Sequence, residues 1–552
     1  MALRGPESLV AGTIALAIMT GSVFAQEAAS PPVLAPAVEV TEASPPEPVL
    51  DETSIAIRDL LENAGNKDSI LGKQYAASVV EFYAGRDYAA AWVPDGVMTD
   101  NARALIERIQ AADIDGLDPS AFSPPSQNLG KYAKSLPKFT AMTDVMLSQA
   151  VAAYADAAYG GQVDPGSVGG SIDYERQDLD EATALSTVAA SDDPISALTA
   201  YNPPHPEFAA LRDKLAELRD AEKAKKPIEV PAGSALKLGV EDARVGFLRK
   251  RLKLPTNVDS PALFDEGVVE AVKSFQKSAR LTADGIVGPR TIAALNADPV
   301  DPIPTILVNM EKWRWMPRDF GPFYVRVNVP DFTVNVFKGQ EIIHTTRTVV
   351  GKPSQQTPIF SDEIEYVIVN PAWNVPASIT RNEMLPAARR NPGALSGYQV
   401  FALIKGRYRA VDPRRVNWRQ IDARKIQIRQ PPGSRNALGK VKFMFPNRHS
   451  VYLHDTPSKS LFKRDYRAYS HGCIRVLNPM DFAEALLAEE ADLNSAYLKS
   501  LYGSRERRVN LNRKIPVHVT YFTAWVDDSG TLQTRDDLYG HDRRIGKRLL
   551  SS

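Results

Sequence analysis

The chain is predicted to be a multidomain α+β protein on three observations: apolar residues recur at helical spacing through residues 52–232, a short second unit places helices around a glycine-bearing turn, and alternation of period two takes over after Ile303. Its 552 residues, 44% hydrophobic and 24% charged, suffice for about three domains. Sixty-six Lys and Arg balance 66 Asp and Glu, so global charge gives no reason to expect nucleic acid as a partner.

At the N-terminus, Arg4 precedes an apolar run over residues 9–19 that is too short to span a bilayer. Gly21-Ser22-Val23-Phe24-Ala25 follows, with small residues at Val23 and Ala25 suited to signal peptidase. Residues 1–25 are therefore expected to be a signal peptide and the mature chain to work in the periplasm; uncleaved, the same run would anchor it to the membrane. Residues 26–51, with Pro31, Pro32, Pro36, Pro45, Pro46 and Pro48, cannot bury a core and read as an extended linker.

Residues 52–232 read as a helical scaffold, with helical patterns at residues 56–61, 105–111 and 146–159 separated by Gly116, Pro119, Pro124, Gly160 and Pro165. Phe82, Tyr83 and Trp92 are expected in its core. In residues 233–298, Phe264-Asp265 opens a helix carrying Val268, Val269, Val272, Phe275 and Gln276. Residues 281–288 then form a turn containing Asp284-Gly285 and Gly288, and Pro289 starts the next helix. These residues resemble the type 1 peptidoglycan-binding module, which implies a small three-helix domain holding cell-wall glycopeptide. Bracing of the neighbouring domains is the alternative reading.

From residue 303 to 541 strands dominate. Val325, Val327 and Val329 alternate with polar residues, as do Phe332, Val334 and Val336, and strands are also expected at 364–369, 441–445, 451–453 and 517–526, the last followed by an Asp528-Ser529-Gly530 turn. Residues 387–439, rich in Pro, Arg and Gly and containing Trp418, read as an insertion that caps a cleft, or as a solvated basic surface.

The sole cysteine lies in Tyr469-Ser470-His471-Gly472-Cys473-Ile474-Arg475, downstream of His454-Asp455-Thr456-Pro457-Ser458. One thiol in an exported chain can form no internal disulfide, and a thiol with histidines nearby reads as a nucleophile with its base. Zinc binding by His454, His471 and Cys473 lacks a fourth ligand at a recognisable spacing. No cofactor is implied.

His454 followed by Ser470-His471-Gly472-Cys473 in a β domain, behind a peptidoglycan-binding module, resembles the L,D-transpeptidases with the YkuD-type fold. Asn370-Pro371-Ala372-Trp373-Asn374-Val375-Pro376, residues 436–443 and His454-Asp455-Thr456-Pro457-Ser458 look like the large YcbB-type subgroup, as do residues 112–119 and Trp313-Arg314-Trp315. The resemblance implies an enzyme in which Cys473 attacks a stem-peptide carbonyl, D-alanine leaves, and a thioester is passed to an acceptor to form a 3-3 cross-link. It implies His454 as base, oriented by the Asp455 backbone carbonyl, with His471 as rival base and Gly472 and Cys473 N–H groups as oxyanion donors. Ser470, Arg475 and Trp373 are candidate substrate contacts, with an ion pair for Arg475 and a core position for Trp373 as alternatives. The expected partners are peptidoglycan stem peptides and carbapenem-type inhibitors; no residue names a protein partner among the cell-wall synthesis proteins. Hydrolysis of stem peptides or cross-links, and wall binding without catalysis, remain alternatives.

Overall fold

The structure is a computed structural model describing residues 50–62, 72–126, 136–223, 228–278, 281–296 and 301–550. The expected signal peptide, and all of the linker but its last two residues, lie outside the described residues. Among the described residues no helix is long and apolar enough to cross a membrane.

The scaffold is helical, as its periodicity requires. Thr99 caps the helix Asp100–Gln110 by accepting the Ala102 N–H, and Leu105, Ile106 and Ile109 bury its apolar face. The Ala-rich helix runs Pro137–Gly160, starting well before the expected position because Pro137 provides a preformed first turn. Phe82, Tyr83 and Trp92 belong to the core around it. Within that core the Asp144 carboxylate accepts Tyr83 Oη (2.5 Å) and the N–H groups of Ala91, Trp92 and Val93 (2.9, 2.7 and 2.7 Å).

Later scaffold residues join a different core. Val163, Val168, Ile172, Tyr174, Phe208 and Leu211 pack into the same cluster as the β domain. The seam is the helix Ile303–Arg314. Buried Arg314 donates to Asp115 O (2.6 Å), Glu311 accepts the Val163 N–H (2.7 Å), and Lys312 donates to Tyr521 O (2.8 Å) and Asp542 (2.7 Å). A scaffold tied to the barrel at this many buried polar contacts cannot separate without exposing them.

The module has three helices, Arg244–Arg251, Glu266–Ser278 and Pro289–Asn296, around Phe264, Val268, Val272, Val287 and Leu295. Gln276, 2% exposed, donates to Asp284 Oδ1 (2.8 Å) and Ile286 O (2.9 Å) and accepts the Gly285 N–H (2.9 Å). The residues that mark this module in the sequence thus brace its turn.

The β domain contains, in chain order, β1 (Phe323–Asn328), β2 (Thr333–Lys338), β3 (Glu341–Gly351) and β4 (Phe360–Val369). There follow β5 (Trp373–Asn374), β6 (Gln399–Ile404), β7 (Arg407–Val411) and β8 (Ile426–Gln430), then β9 (Val441–Met444), β10 (Leu453–His454), β11 (Ala468–Ser470), β12 (Ile474–Val476) and β13 (Arg507–Thr520). The main sheet runs β3-β12-β10-β9-β4-β13-β1-β2, and β2 pairs again with β3, so the ladder closes; β11 adds to β3 in parallel. Val325, Val334, Ile364, Phe443, Leu453 and Ile474 fill the interior at 0% exposure.

Two expectations need correction. The strand expected over 517–526 is broken after Thr520, because Thr523 turns away to donate its N–H to Asn309 on the seam helix (2.9 Å); Ala524–Val526 pairs instead with Leu532–Thr534. The insertion expected over residues 387–439 begins earlier, at Trp373. It contains a four-stranded antiparallel sheet, β5-β8-β6-β7, and has its own core of Leu385, Val400, Trp418, Ile426 and Ile428.

Candidate active site

Strand register assembles the site. β10 and β12 are parallel neighbours with Leu453 opposite Ile474 and His454 opposite Arg475, and β9 sets Lys442 opposite His454. Leu453, Ile474 and Phe443 point into the barrel, so alternation turns Lys442, Tyr452, His454, Cys473 and Arg475 to its outer side. Lys442 Nζ lies 5.1 Å from the centre of the Tyr452 ring.

The cysteine loop is held by its own polar groups. Gly472 has φ +113°, a conformation that favours glycine, and the loop thereby turns from β11 into β12. Ser470 Oγ donates to Cys473 O (2.6 Å) and accepts the Gly472 N–H (3.1 Å), while Thr357 Oγ1 donates to Gly472 O (2.8 Å). Two expected roles change as a result. Ser470, 2% exposed, braces the loop instead of meeting substrate. The Gly472 N–H, one of the two expected oxyanion donors, is already engaged by Ser470 Oγ.

His454 Nδ1 donates to the Asp455 backbone carbonyl at 2.5 Å, which fixes Nε2 as the ring's acceptor nitrogen. The Asp455 carboxylate faces its own loop, accepting the N–H groups of Lys440 (2.8 Å) and Thr456 (2.7 Å) and Lys459 Nζ (2.8 Å). Gly439, at φ +61°, is required beside it, since a Cβ there would overlap that carboxylate. Asp455 thus serves the histidine through its main chain alone.

Burial, reinforced by the Arg475 charge, pushes His454 down to about 3. Burial also pushes the Cys473 thiol up, against the opposing pull of Tyr452, Lys442 and Arg475. Thiol and imidazole are therefore both neutral at rest. In this resting arrangement Sγ contacts Ser450 O at 3.8 Å.

His471 points elsewhere. Its Nε2 pairs with the Glu383 carboxylate of the insertion, in the turn Thr380–Met384. Arg475 makes no ion pair among the described residues and its Nε is buried without a partner, so the structural ion-pair alternative falls away. Trp373, half-buried in β5, packs on the insertion core, the second of its two expected roles. A cleft of about 430 Å³ opens beside the cysteine loop, lined by Gln356, His449, Val451, His471 and Gly472 and, from the scaffold, by Gly170 and Ser171. Among the described residues no His, Cys, Asp and Glu group is placed to hold a metal.

Lys442 and Tyr452 are site residues that sequence reasoning did not select. Lys442 stands opposite His454, a placement that depends on pairing between strands distant in sequence, whereas Tyr452 lies two residues before His454 and shares its side by alternation.

Residues 322–490 match the family described as "L,D-transpeptidase catalytic domain", residues 243–295 that described as "Putative peptidoglycan binding domain", and residues 77–215 that described as "Scaffold domain". A "Putative L,D-transpeptidase" of Haemophilus influenzae is 30% identical over 241 residues, 44% of this chain and 48% of the relative, so the chain spans about half the length of that curated relative. Among solved structures, an L,D-transpeptidase from Mycobacterium smegmatis aligns at TM-score 0.18 and 15% identity over 36% of this chain and 58% of that one. Another, from Xylanimonas cellulosilytica, aligns at TM-score 0.15 and 15% identity over 53% of this chain and 100% of that one. Residues 322–490, the part of the β domain that carries Cys473 and His454, match the L,D-transpeptidase catalytic domain family, YkuD, in a chain whose residues 243–295 match a peptidoglycan-binding domain.

Proposed function

We propose that the protein is a periplasmic L,D-transpeptidase that forms 3-3 peptidoglycan cross-links through a thioester on Cys473. The observation that carries this reading is the His454 ring, locked by the Asp455 carbonyl so that Nε2 accepts a proton, on the same outer side as Cys473. Sγ attacks the carbonyl of the penultimate stem residue while its proton passes to Nε2. The tetrahedral oxyanion meets the Cys473 N–H, with the cationic Lys442 and Arg475 nearby. Collapse breaks the peptide bond, and His454 returns the proton to the departing D-alanine amine. The side-chain amine of an acceptor stem then attacks the thioester, forming the cross-link amide and releasing the thiol. Mass spectrometry of products from a tetrapeptide-bearing muropeptide tests the proposal: a cross-linked dimer is expected, and a tripeptide alone would assign the site to hydrolysis.

Two further outcomes are expected. Deleting residues 233–298 should weaken binding to isolated sacculi more than turnover of a small muropeptide, since tethering raises local concentration without touching chemistry. Equal losses would assign the module to bracing of its neighbouring domains. A carbapenem should acylate Cys473 alone, faster as pH rises through the coupled titration of thiol and imidazole. Peptide mass spectrometry locating the adduct elsewhere, or finding it in Cys473→Ala, would contradict this.

A further inference from the structure

The insertion concentrates charge in an otherwise balanced chain. Residues 377–439 hold thirteen Lys and Arg against three Asp and Glu. All three acids are engaged: Asp412 with Arg414, Asp422 with Arg424, and Glu383 with His471. Lys405, Arg407, Arg409, Arg415, Arg419 and Lys425 are exposed and make no ion pair among the described residues.

Three of these cations surround an apolar tip. β6 and β7 form a hairpin whose turn, Lys405-Gly406, has φ +48° and +76°. Beside it Leu403, Ile404 and Tyr408 are 37%, 41% and 40% exposed. Leu403 stands opposite Tyr408 and Ile404 opposite Arg407, so Leu403 and Tyr408 share one face of the tip and Ile404 lies on the other. No single packing partner on one face would cover both. A soft apolar medium would, and Lys405, Arg407 and Arg409 are placed to remain at its anionic boundary.

We propose that the β6–β7 hairpin is a docking element for an anionic phospholipid bilayer, with Leu403, Ile404 and Tyr408 entering the headgroup region and Lys405, Arg407 and Arg409 contacting lipid phosphates. Carboxylates of wall peptides would satisfy the cations but leave the aliphatic groups in water, and this favours lipid as the occupant. The inference does not depend on the transpeptidase reading.

The test is co-sedimentation of the full chain with vesicles of equal parts phosphatidylglycerol and phosphatidylcholine, against phosphatidylcholine alone. The full chain should prefer the anionic vesicles, and that preference should fall with salt. Amide exchange across residues 399–411 should slow in their presence. Replacing Lys405, Arg407 and Arg409 together by Gln should weaken anionic-vesicle binding about a hundredfold, at roughly fivefold per cation. Leu403→Ser with Ile404→Ser should also weaken it, at low salt and with all cations intact. Turnover of a soluble muropeptide should not change in either variant. Absence of exchange protection in the hairpin, undiminished binding by the Leu403/Ile404 variant, or loss of sacculus binding in the Gln variant with vesicle binding intact would each overturn the proposal.

Discussion

Cys473→Ser is expected to keep the fold and to lose at least about 10³-fold in turnover of a tetrapeptide-bearing muropeptide. The replacement is nearly isosteric at a half-buried position, and the bracing bonds of the loop run through Cys473 O and Gly472, which the substitution leaves alone. What is lost is a thiol, the only side chain here nucleophilic enough to be activated by a single neutral imidazole. His454→Ala should lose about 10²–10⁴-fold, since it removes the proton acceptor. His471→Ala should retain far more activity, because its ring is committed to Glu383 of the insertion. Rates measured on the three proteins, with thermal melting as the control for folding, decide the assignment. A dead His471→Ala beside an active His454→Ala would reverse it.

Much of this arrangement was legible in the residues. The single cysteine and the histidine upstream marked where the site would lie, and the structure shows the Asp455 carbonyl contact expected from family resemblance. The alternation of Val325 and Val327, and of Val334 and Val336, predicted the barrel strands because one face of each is fully buried. The strands inside the insertion were not anticipated, for the converse reason. β6 and β7 expose most side chains near their shared turn, so neither shows a clean inward and outward alternation, and their Arg-rich composition imitates a loop. The role of Ser470 was equally hidden, because a serine beside a catalytic cysteine looks the same in sequence whether its hydroxyl meets substrate or, as here, the Cys473 carbonyl. The shared core of scaffold and barrel depends on contacts between Ile172 and Ile359 and between Arg314 and Asp115, pairings between distant residues that no local pattern encodes.

Acidification to about pH 5 should remove roughly 6 kcal/mol of histidine-linked stability from the catalytic domain, a large share of a typical folding free energy. His454, His518 and His541 are 4%, 4% and 0% exposed, and burial drives each of them down to about 3. A histidine depressed in the folded state stays neutral there while its unfolded counterpart binds a proton below about 6.5, so stability is complete above that value and is lost as pH falls towards the folded pKa. At about pH 5 each contributes roughly 2 kcal/mol of loss. Asp144 and Glu311 work in the opposite sense, because burial raises their carboxyls and the folded state then gains from protonation. The histidine share can be isolated at His518, whose Nδ1 bonds Ser361 Oγ at 2.7 Å while Nε2 is buried without a partner and has nothing to receive a second proton's hydrogen bond. His518→Gln removes that titration and lies outside the cysteine loop. Its denaturation midpoints at pH 7 and pH 5 should therefore differ by less than those of the parent, by about 2 kcal/mol. Equal pH dependence in the two proteins would mean that His518 is not held neutral in the fold.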